Sequence, residues 1–267
     1  MTVANGDKKR KYAAASWNQR RSGAGSSKAK TEYCKATIRR MKPRVMVATE
    51  VTTKKQRTGS FDFSAQNITN RKANPAQLCF GAINGDGNEV KLTPHVPQST
   101  AMYTALNFGG SNLWRNLADR GIGHYRDDVV QNNTTLFTVD NFFFHAPSGG
   151  SKGAKPSKAA RAISFLLSDL VEHGKTNGFN YWIVLGDMNV SPDQFDAWTN
   201  KVFAAYMVRS GQVSFFNRKT SSELDYGFTN IEGAWLDTYR RSTRATNGDH
   251  HPVSLSFNYG DKPPSVK

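Results

Sequence analysis

The sequence predicts a single mixed α/β (α+β) domain, and three observations support this fold class. The chain has 267 residues, which is enough for one large domain with a substantial core. The run from Tyr181 to Leu185 has the pattern of a strand buried on both faces. Ser157 can cap a helix whose apolar positions recur at helical spacing and stop before Gly174. Strands and helices therefore share one domain, which we place at residues 13–259.

The positive charge of the chain is concentrated near its start. The formal net charge is +15, and residues 1–72 contain 18 Lys and Arg against 4 Asp and Glu. Such a surface favours polyanionic partners, either nucleic acid or an acidic membrane. The block Lys8–Lys11 is typical of a solvated tail, and it also fits a nuclear-localisation signal or a nucleic-acid contact.

Both ends of the chain have the composition of disordered tails. Residues 1–12 are polar and charged without periodicity, and residues 260–267 contain the pair Pro263-Pro264. We expect a soluble chain without a signal peptide, because it has no long apolar run and its basic start lacks an apolar core. Cys34 and Cys79 have no zinc spacing, and we expect small buried side chains, although one disulfide between them stays open.

Local patterns predict the order of the elements. A strand is predicted at 12–18, a loop at 22–30, a basic helix at 31–41, a strand at 45–50 and a surface loop at 54–75. Short strands follow within 77–108, two of them flanking a hairpin turn at 84–88, and residues 109–135 have no clear assignment. The remaining predicted elements are a strand at 141–145, a helix beginning at Ser157, the strand at 181–185, a helix at 193–208, and strands at 224–228 and 253–257.

A polar residue suited to metal binding or acid–base chemistry follows several of the predicted strands. Each of these residues alone is more typical of a surface carboxylate, a satisfied histidine or a turn. Together, carboxylates, amides and histidines at strand ends are the groups needed for metal-assisted hydrolysis of a phosphodiester. The candidates are Asn18, Glu50, His145, Asp187 with Asn189, Asp225, and Asp249 with His250.

The order of these motifs resembles that of a known superfamily. The motifs are Trp17-Asn18, Thr49-Glu50, Phe144-His145, Gly186-Asp187-Met188-Asn189, Leu224-Asp225-Tyr226 and Gly248-Asp249-His250-His251-Pro252-Val253. In order and spacing they are similar to the endonuclease/exonuclease/phosphatase superfamily, typified by deoxyribonuclease I. Ser148-Gly149-Gly150 and Glu223-Leu224-Asp225-Tyr226 further resemble the cytolethal distending toxin B subunit branch.

The resemblance implies a fold and a metal site. The fold would be a two-layered β-sandwich flanked by helices, deoxyribonuclease I-like, with the active site at one end of the two sheets. Glu50 would be the main ligand of a divalent cation, Mg²⁺ or Mn²⁺, with Asn18 and Asp249 nearby. Oxygen-rich sites of this kind suit hard cations.

The resemblance also implies catalytic roles. His250 corresponds to the general base, oriented by Asp225, and His145 to the acid that protonates the leaving oxygen. Asp187 and Asn189 would position the nucleophile and the phosphate oxygens. Two histidines can serve as base and acid around one phosphate because their ordinary pKa lies near neutrality.

The sequence departs from the family pattern in three places. Gly248 replaces the serine that commonly precedes the Asp-His pair. The acid that pairs with the first histidine in deoxyribonuclease I has no clear counterpart, and Glu89 is the only acid in a suitable position. Arg126 is the candidate for the phosphate-binding arginine of the toxin branch. His251 fills a variable position, and we interpret it as a bystander.

Three functions are compatible with these features. The first is a metal-dependent endonuclease that nicks duplex DNA with little sequence specificity, as a genotoxin subunit or effector that acts in a target-cell nucleus with toxin delivery subunits as partners. The second is a phosphoinositide phosphatase on the same scaffold, since basic surfaces suit anionic membranes equally well. The third is a catalytically silent module that binds nucleic acid, against which the full set of histidines and acids argues.

Overall fold

The computed structural model describes residues 9–19, 28–50, 66–67, 79–95, 121–148, 157–199, 204–216, 221–240 and 250–267. The strands are β1 (Arg10–Asn18), β2 (Val45–Thr49), β3 (Gln66–Asn67), β4 (Cys79–Asn84), β5 (Thr93–Pro94), β6 (Ile122–Gln131), β7 (Thr134–His145), β8 (Tyr181–Asp187), β9 (Tyr206–Val208), β10 (Phe215–Phe216), β11 (Ser221–Ser222), β12 (Asp225–Thr229), β13 (Trp235–Thr238) and β14 (Val253–Tyr259). The helices are α1 (Lys28–Met41), α2 (Lys158–His173) and α3 (Pro192–Thr199).

Two six-stranded sheets pack face to face and form the two layers of a sandwich. Their strand orders are β13-β14-β1-β2-β4-β3 and β5-β6-β7-β8-β12-β9, and β10 and β11 form a separate hairpin. Between the layers, the Tyr12 hydroxyl of β1 hydrogen-bonds the Asn141 amide of β7, with Asn141 Nδ2 lying 2.9 Å from the hydroxyl oxygen. The predicted two-layered β-sandwich is confirmed.

Helices cover the outer faces of both sheets. On the first sheet, alternation along β1 sends Ala15 and Trp17 away from the sandwich interior, where they pack with Tyr33 of α1. On the second sheet, Asp169 of α2 hydrogen-bonds His95, whose ring contacts Phe142 of β7. The sandwich is therefore flanked by helices, as predicted.

Strand pairing brings several strand ends to one edge of the sandwich. β1 and β2 are parallel with Asn18 opposite Thr49, and β7 and β8 are parallel with His145 opposite Asp187. β12 runs antiparallel to β8 and begins with Asp225 opposite Asp187. Since residues opposite each other on neighbouring strands point to the same face, His145, Asp187 and Asp225 all face the sandwich interior. We call this edge the site end.

The strongest local signals in the sequence are confirmed. The Ser157 hydroxyl accepts a hydrogen bond from the Ala160 amide at the start of α2, and Gly174 follows the last residue of this helix. The predicted hairpin turn at 84–88 is present, because the Asn84 side chain accepts from the Asp86 and Asn88 amides. These signals succeed because they depend on groups close together in the chain.

Three expectations require correction. The helix predicted at 193–208 ends at Thr199, and β9 follows because Tyr206–Val208 pairs with β12. β1 already begins at Arg10, inside the predicted tail of residues 1–12. The predicted frayed tail is attached, because Val266 bridges Ile231 and the Glu232 amide donates to the Ser265 carbonyl.

One stretch without a predicted element contains a strand, and several other predictions fall outside the described residues. Residues 109–135, which had no assignment, contain β6, whose pattern is obscured by the charged run Arg126–Asp128. Residues 1–8, most of the predicted loop at 54–75, and the side chains of Cys34 and Cys79 lie outside the described part of the chain. No helix within the described ranges is long and apolar enough to cross a membrane.

Candidate active site

Most of the predicted site residues meet at the site end. Each stands at or just beyond the end of a strand, or at the start of one, and the two sheets bring them together from distant parts of the sequence. Five of the seven side chains are buried, and all seven are polar groups that require partners. The assembled residues are Asn18, Glu50, His145, Asp187, Asn189, Asp225 and His250.

Asp187 lies at the centre of this group. Its Oδ2 accepts a hydrogen bond of 2.9 Å from Asn18 Nδ2 of the other sheet, and its Oδ1 accepts one of 2.9 Å from the Asn189 amide. The preceding Gly186 is needed because a Cβ there would lie 1.8 Å from the Phe144 carbonyl oxygen. The glycine in the Gly186-Asp187 motif therefore permits the close approach of β7 and β8 next to the buried carboxylate.

His250 and Asp225 form a buried pair beside Asp187. The Nδ1 atom of His250 lies 2.8 Å from Asp225 Oδ2, and its Nε2 atom lies 3.7 Å from Asp187 Oδ2. Burial alone would lower the pKa of His250, but the carboxylates of Asp225 and Asp187 outweigh it and raise this pKa to about 9. The imidazole is therefore surrounded by excess negative charge.

His145 contacts the same central carboxylate from β7, which lies on the opposite side of β8 from β12. Its Nε2 atom lies 3.6 Å from Asp187 Oδ2 and 3.6 Å from Glu50 Oε1. Glu89, the acid that the sequence offered as its partner, is exposed and bridges Ile83, which pairs with Met46 towards the other end of β2. The position of Glu89 therefore does not support this pairing, and Glu50 and Asp187 are the acids beside His145.

Two of the site residues have left-handed backbones. Glu50 has a φ of 57° and Asn189 a φ of 50°, values that side-chain-bearing residues adopt at a cost. Glu50 directly follows β2, and its carboxylate reaches His145 of the second sheet. The Asn189 side chain donates to the Ala146 carbonyl at 2.8 Å, which joins the two turns that follow β7 and β8. In both cases the side chain of the left-handed residue contacts the end of β7 or the residue that follows it.

The donor chemistry of the site fits a divalent cation. Glu50, Asp187 and Asp225 place carboxylates close together, and the raised pKa of His250 reports their combined negative charge. Asp225 Oδ1 is buried and has no hydrogen-bond partner in the described part of the chain. Hard cations prefer such oxygen-rich surroundings.

Ligand atoms of Asp187, Asp225 and His250 also lie within 4.8 Å of one another. However, His250 Nδ1 is engaged by Asp225 Oδ2 at 2.8 Å, which is the geometry of a hydrogen-bonded pair. We therefore interpret this trio as acid–base groups, and Glu50 and Asn18 as the candidates for holding a metal. The side chain of Asp249, the third predicted ligand, lies outside the described residues.

Arg126, the predicted phosphate-binding residue, does not belong to this group. It makes two hydrogen bonds to Asp140, from Nε at 2.9 Å and from Nη2 at 3.2 Å, and a third to the Gly178 carbonyl. Asp140 pairs with Trp182 near the start of β8, while the site lies at its end, roughly 17 Å away by the rise of a strand. The prediction is corrected: Arg126 balances a buried carboxylate far from the site.

The surroundings of His250 include groups that the sequence did not single out. The ring of Phe215 lies 4.8 Å from that of His250, and Ser214 accepts a hydrogen bond from the His251 amide at 2.8 Å. His251, interpreted as a bystander, is buried with its Nδ1 atom 3.4 Å from the Tyr33 hydroxyl. Burial, followed by the charges of Arg240 and His250, lowers the pKa of His251. No periodic or motif signal marks Ser214 and Phe215, because their contacts form only in the folded chain.

Comparisons with solved structures identify the fold. TDP2 from D. rerio, complexed with single-strand DNA product, superimposes with a TM-score of 0.56 at 11% identity and covers 93% of this chain and 99% of its own. An endonuclease/exonuclease/phosphatase family protein from Bacteroides thetaiotaomicron gives 0.54 at 16% identity, covering 95% and 96%. The endonuclease domain of TRAS1, a telomere-specific non-LTR retrotransposon, gives 0.51 at 13% identity, covering 92% and 98%.

The likeness covers almost the whole chain but not its sequence. No protein-family model and no curated protein matches the chain. At identities of 11 to 16%, the likeness is one of architecture. The chain therefore has the deoxyribonuclease I-like fold of endonuclease/exonuclease/phosphatase structures.

Proposed function

We propose that this chain is a divalent-metal-dependent hydrolase that cleaves DNA phosphodiester bonds and nicks duplex DNA with little sequence specificity. The observation that carries the proposal is the buried His250–Asp225 pair, which faces His145 across Asp187 at the end of both sheets. The net charge of +15 supports a polyanionic substrate, because Lys and Arg contacts to phosphates supply affinity that is independent of sequence. The folds of TDP2 and of the TRAS1 endonuclease domain support it further.

His250 is the candidate general base. Its hydrogen bond to Asp225 engages Nδ1, so Nε2 is the atom that faces Asp187 and the site. A buried carboxylate on Nδ1 fixes the orientation of the ring and stabilises the charge that appears when Nε2 takes a proton from water. Asp225 thereby acts on the reaction through His250.

His145 is the candidate general acid. Its Nε2 atom lies 3.6 Å from the same Asp187 oxygen that lies 3.7 Å from His250 Nε2. The two imidazoles therefore flank one carboxylate oxygen, and a phosphate beside Asp187 would have a base on one side and an acid on the other. His145 would give its proton to the leaving oxygen. Asp187 and Asn189 would orient the attacking water and the phosphate oxygens.

Glu50 and Asn18, together with Asp249, are the residues that we propose to hold Mg²⁺ or Mn²⁺. When bound, the cation would offset the negative charge of the phosphate and of the surrounding carboxylates, which would also lower the pKa of His250 towards the range a base requires. Asn18 contributes in addition by donating its hydrogen bond to Asp187.

The proposal is tested by nicking of supercoiled plasmid in Mg²⁺ and in EDTA. His250→Asn keeps an amide that can donate to Asp225 but removes the atom that serves as base, and Asp187→Asn keeps the shape of the central carboxylate. We expect each variant to lose roughly 10²- to 10⁴-fold in nicking rate. His173→Gln is the matched control, because His173 is a partly exposed histidine at the end of α2.

The control should nick at the wild-type rate, and EDTA should abolish nicking by both proteins. A folded wild-type protein that does not nick under any metal condition would contradict the proposal. Release of phosphate from phosphoinositide vesicles in the same preparation would then select the phosphatase alternative. Plasmid binding without nicking and without phosphate release would select the silent binding module.

A more specific form of the proposal is a genotoxin catalytic subunit or effector that acts in a target-cell nucleus. It rests on the resemblance of Ser148-Gly149-Gly150 and of the segment 223–226 to the toxin B subunit. Glu223 also has a structural role, because its Oε1 atom accepts hydrogen bonds from the Ser210 and Gly211 amides. Protein introduced into cultured cells should break nuclear DNA, and Asp187→Asn should not. Deletion of residues 1–9 removes Lys8 and Lys9 of the basic block and leaves β1 intact from Arg10. If the block directs import, this deletion should reduce nuclear accumulation without changing plasmid nicking.

A further inference from the structure

Ser214 connects three segments of the chain beside the site. It directly precedes β10, and its side chain is completely buried. Its Oγ accepts two hydrogen bonds, from the Leu224 amide at 3.0 Å and from the Asp225 amide at 2.8 Å. Asp225 is the first residue of β12 and Leu224 directly precedes it, so the hydroxyl oxygen fixes the backbone of the residue that engages His250.

The backbone of Ser214 holds the second member of the pair. Its carbonyl accepts a hydrogen bond of 2.8 Å from the His251 amide, and the next residue, Phe215, forms an isolated bridge with His250. Its own amide donates to the Ser222 carbonyl of β11 at 3.1 Å. One residue thus links the strand that begins with Asp225 to the segment that carries His250.

The same connection extends to the central carboxylate. The Leu224 carbonyl accepts a hydrogen bond of 2.8 Å from the Met188 amide, which directly follows Asp187. A serine hydroxyl has two acceptor lone pairs, and both are needed to satisfy two neighbouring amides. Without the hydroxyl these amides would lose their acceptor in a buried environment, so the backbone would shift to find new ones. A shift of about 1 Å at a catalytic group can cost roughly 10²-fold in rate.

We propose that Ser214 is a positioning residue, which sets the register between Asp225 and His250 without contacting the substrate. The rate consequence rests on the proposed function, whereas the effect on the pair itself does not. Removal of the hydroxyl should therefore change turnover rather than substrate affinity. It should also disturb the Asp225–His250 hydrogen bond in protein to which no substrate has been added.

The experiment uses the full chain with Ser214→Ala, Ser214→Thr and a matched control. Ser256→Ala is the control, because Ser256 is also completely buried but lies in β14 opposite Ala13. The activity-independent readout is the downfield ¹H NMR signal of the His250 Nδ1 proton, assigned by its loss in Asp225→Asn. We expect this signal to be shifted or broadened in Ser214→Ala, and unchanged in Ser256→Ala.

In plasmid nicking, kcat of Ser214→Ala should fall roughly 10- to 100-fold while KM stays within about twofold. Ser214→Thr, which keeps the hydroxyl, should recover at least about tenfold of that loss, and Ser256→Ala should match the wild type. An unchanged Nδ1 signal in folded Ser214→Ala would overturn the inference. Equal losses in the alanine and threonine variants would overturn it as well. A wild type that does not nick plasmid, together with a disturbed Nδ1 signal in Ser214→Ala, would contradict the proposed function but leave the inference about Ser214 standing.

Discussion

Two buried polar networks lie on opposite faces of the β7–β8 sheet, and they differ in charge balance. On the interior face, Asp187, Asp225 and His250 form the site network, to which Glu50 and His145 add a carboxylate and an imidazole. On the outer face, Asp140 is completely buried and is engaged by both Arg126 and His124, which we call the Arg126 network. The second network offsets its carboxylate with a guanidinium, whereas the contacts of Asp187 and Asp225 in the first are with amide groups and histidines.

This difference in charge balance distinguishes the candidate active site from a network that balances its charge within the protein. The site network retains an unpartnered carboxylate oxygen on Asp225 and two left-handed residues, Glu50 and Asn189. Buried negative charge and backbone strain are costly, and their coincidence at one end of the sandwich motivates the hypothesis of a functional site. The Arg126 network satisfies its carboxylate within the protein. Both networks contain acids, a histidine and short contacts, so residue type alone does not distinguish them.

The largest expected effect is the loss of plasmid nicking in Asp225→Asn. The asparagine cannot hold the His250 ring as the carboxylate does, so plasmid nicking should fall roughly 10²- to 10⁴-fold. Above about pH 9, where His250 is neutral, the urea midpoint should stay the same or rise, since the substitution removes a carboxylate with an unpartnered buried oxygen. Nicking rate and equilibrium unfolding of the same preparation provide the check. A variant that loses stability but keeps its nicking rate would reverse the assignment of the site network.

The next effect is stabilisation by a divalent cation. Mg²⁺ or Mn²⁺ at about 100 times its Kd should raise the free energy of unfolding by about 2.7 kcal/mol. Glu50→Gln should lose most of this gain because it removes a charged ligand, while His173→Gln should keep it. Thermal unfolding at several cation concentrations measures the effect without any substrate. Equal stabilisation of the wild type and Glu50→Gln would exclude Glu50 as the main ligand.

Arg126→Met should lower the stability of the protein and leave its nicking rate unchanged, which is the reverse of the effect expected for Asp225→Asn. It leaves Asp140 buried with His124 as its remaining partner in the described part of the chain, so the free energy of unfolding should fall by about 2 kcal/mol. Nicking per folded molecule should remain at the wild-type rate. Urea unfolding and nicking measured below the transition test both statements. A rise in KM for plasmid, at unchanged stability, would restore the phosphate-binding role that the sequence suggested.

The smallest effect is expected at the β6–β7 turn. Asn132 and Asn133 both have positive φ, at 51° and 60°, as a two-residue hairpin turn requires. Asn133→Gly should stabilise the protein by about 0.5 kcal/mol and leave nicking unchanged, because glycine adopts this conformation without strain. Asn189→Gly should in contrast reduce nicking, since it removes the hydrogen bond to Ala146. Equal behaviour of the two variants would mean that the strain at Asn189 has no functional part.

Much of the architecture could be predicted from local patterns. The helix capped by Ser157 and the strand that ends at Asp187 were placed correctly because capping and apolar runs depend on near neighbours in sequence. The predicted helix at 193–208 failed in its second half because pairing with β12 outweighs local preference there. The long strand β6 was missed because Arg126, Asp127 and Asp128 hide its alternation, and their partners lie on β7 and, for Asp127, at Arg44.

The sequence by itself predicted which strand-end residues gather at the site end, because each of them lies near the end or the start of a recognisable strand and the motifs occur in a familiar order. The tertiary structure decided which of these residues contact one another and which lie elsewhere. It placed Glu50 beside His145, removed Arg126 from the site, and brought Ser214 to Asp225 and His251. The physical reason is that strand-end motifs are local, whereas charge balance and hydrogen-bond partners are set across two sheets, by residues far apart in the chain.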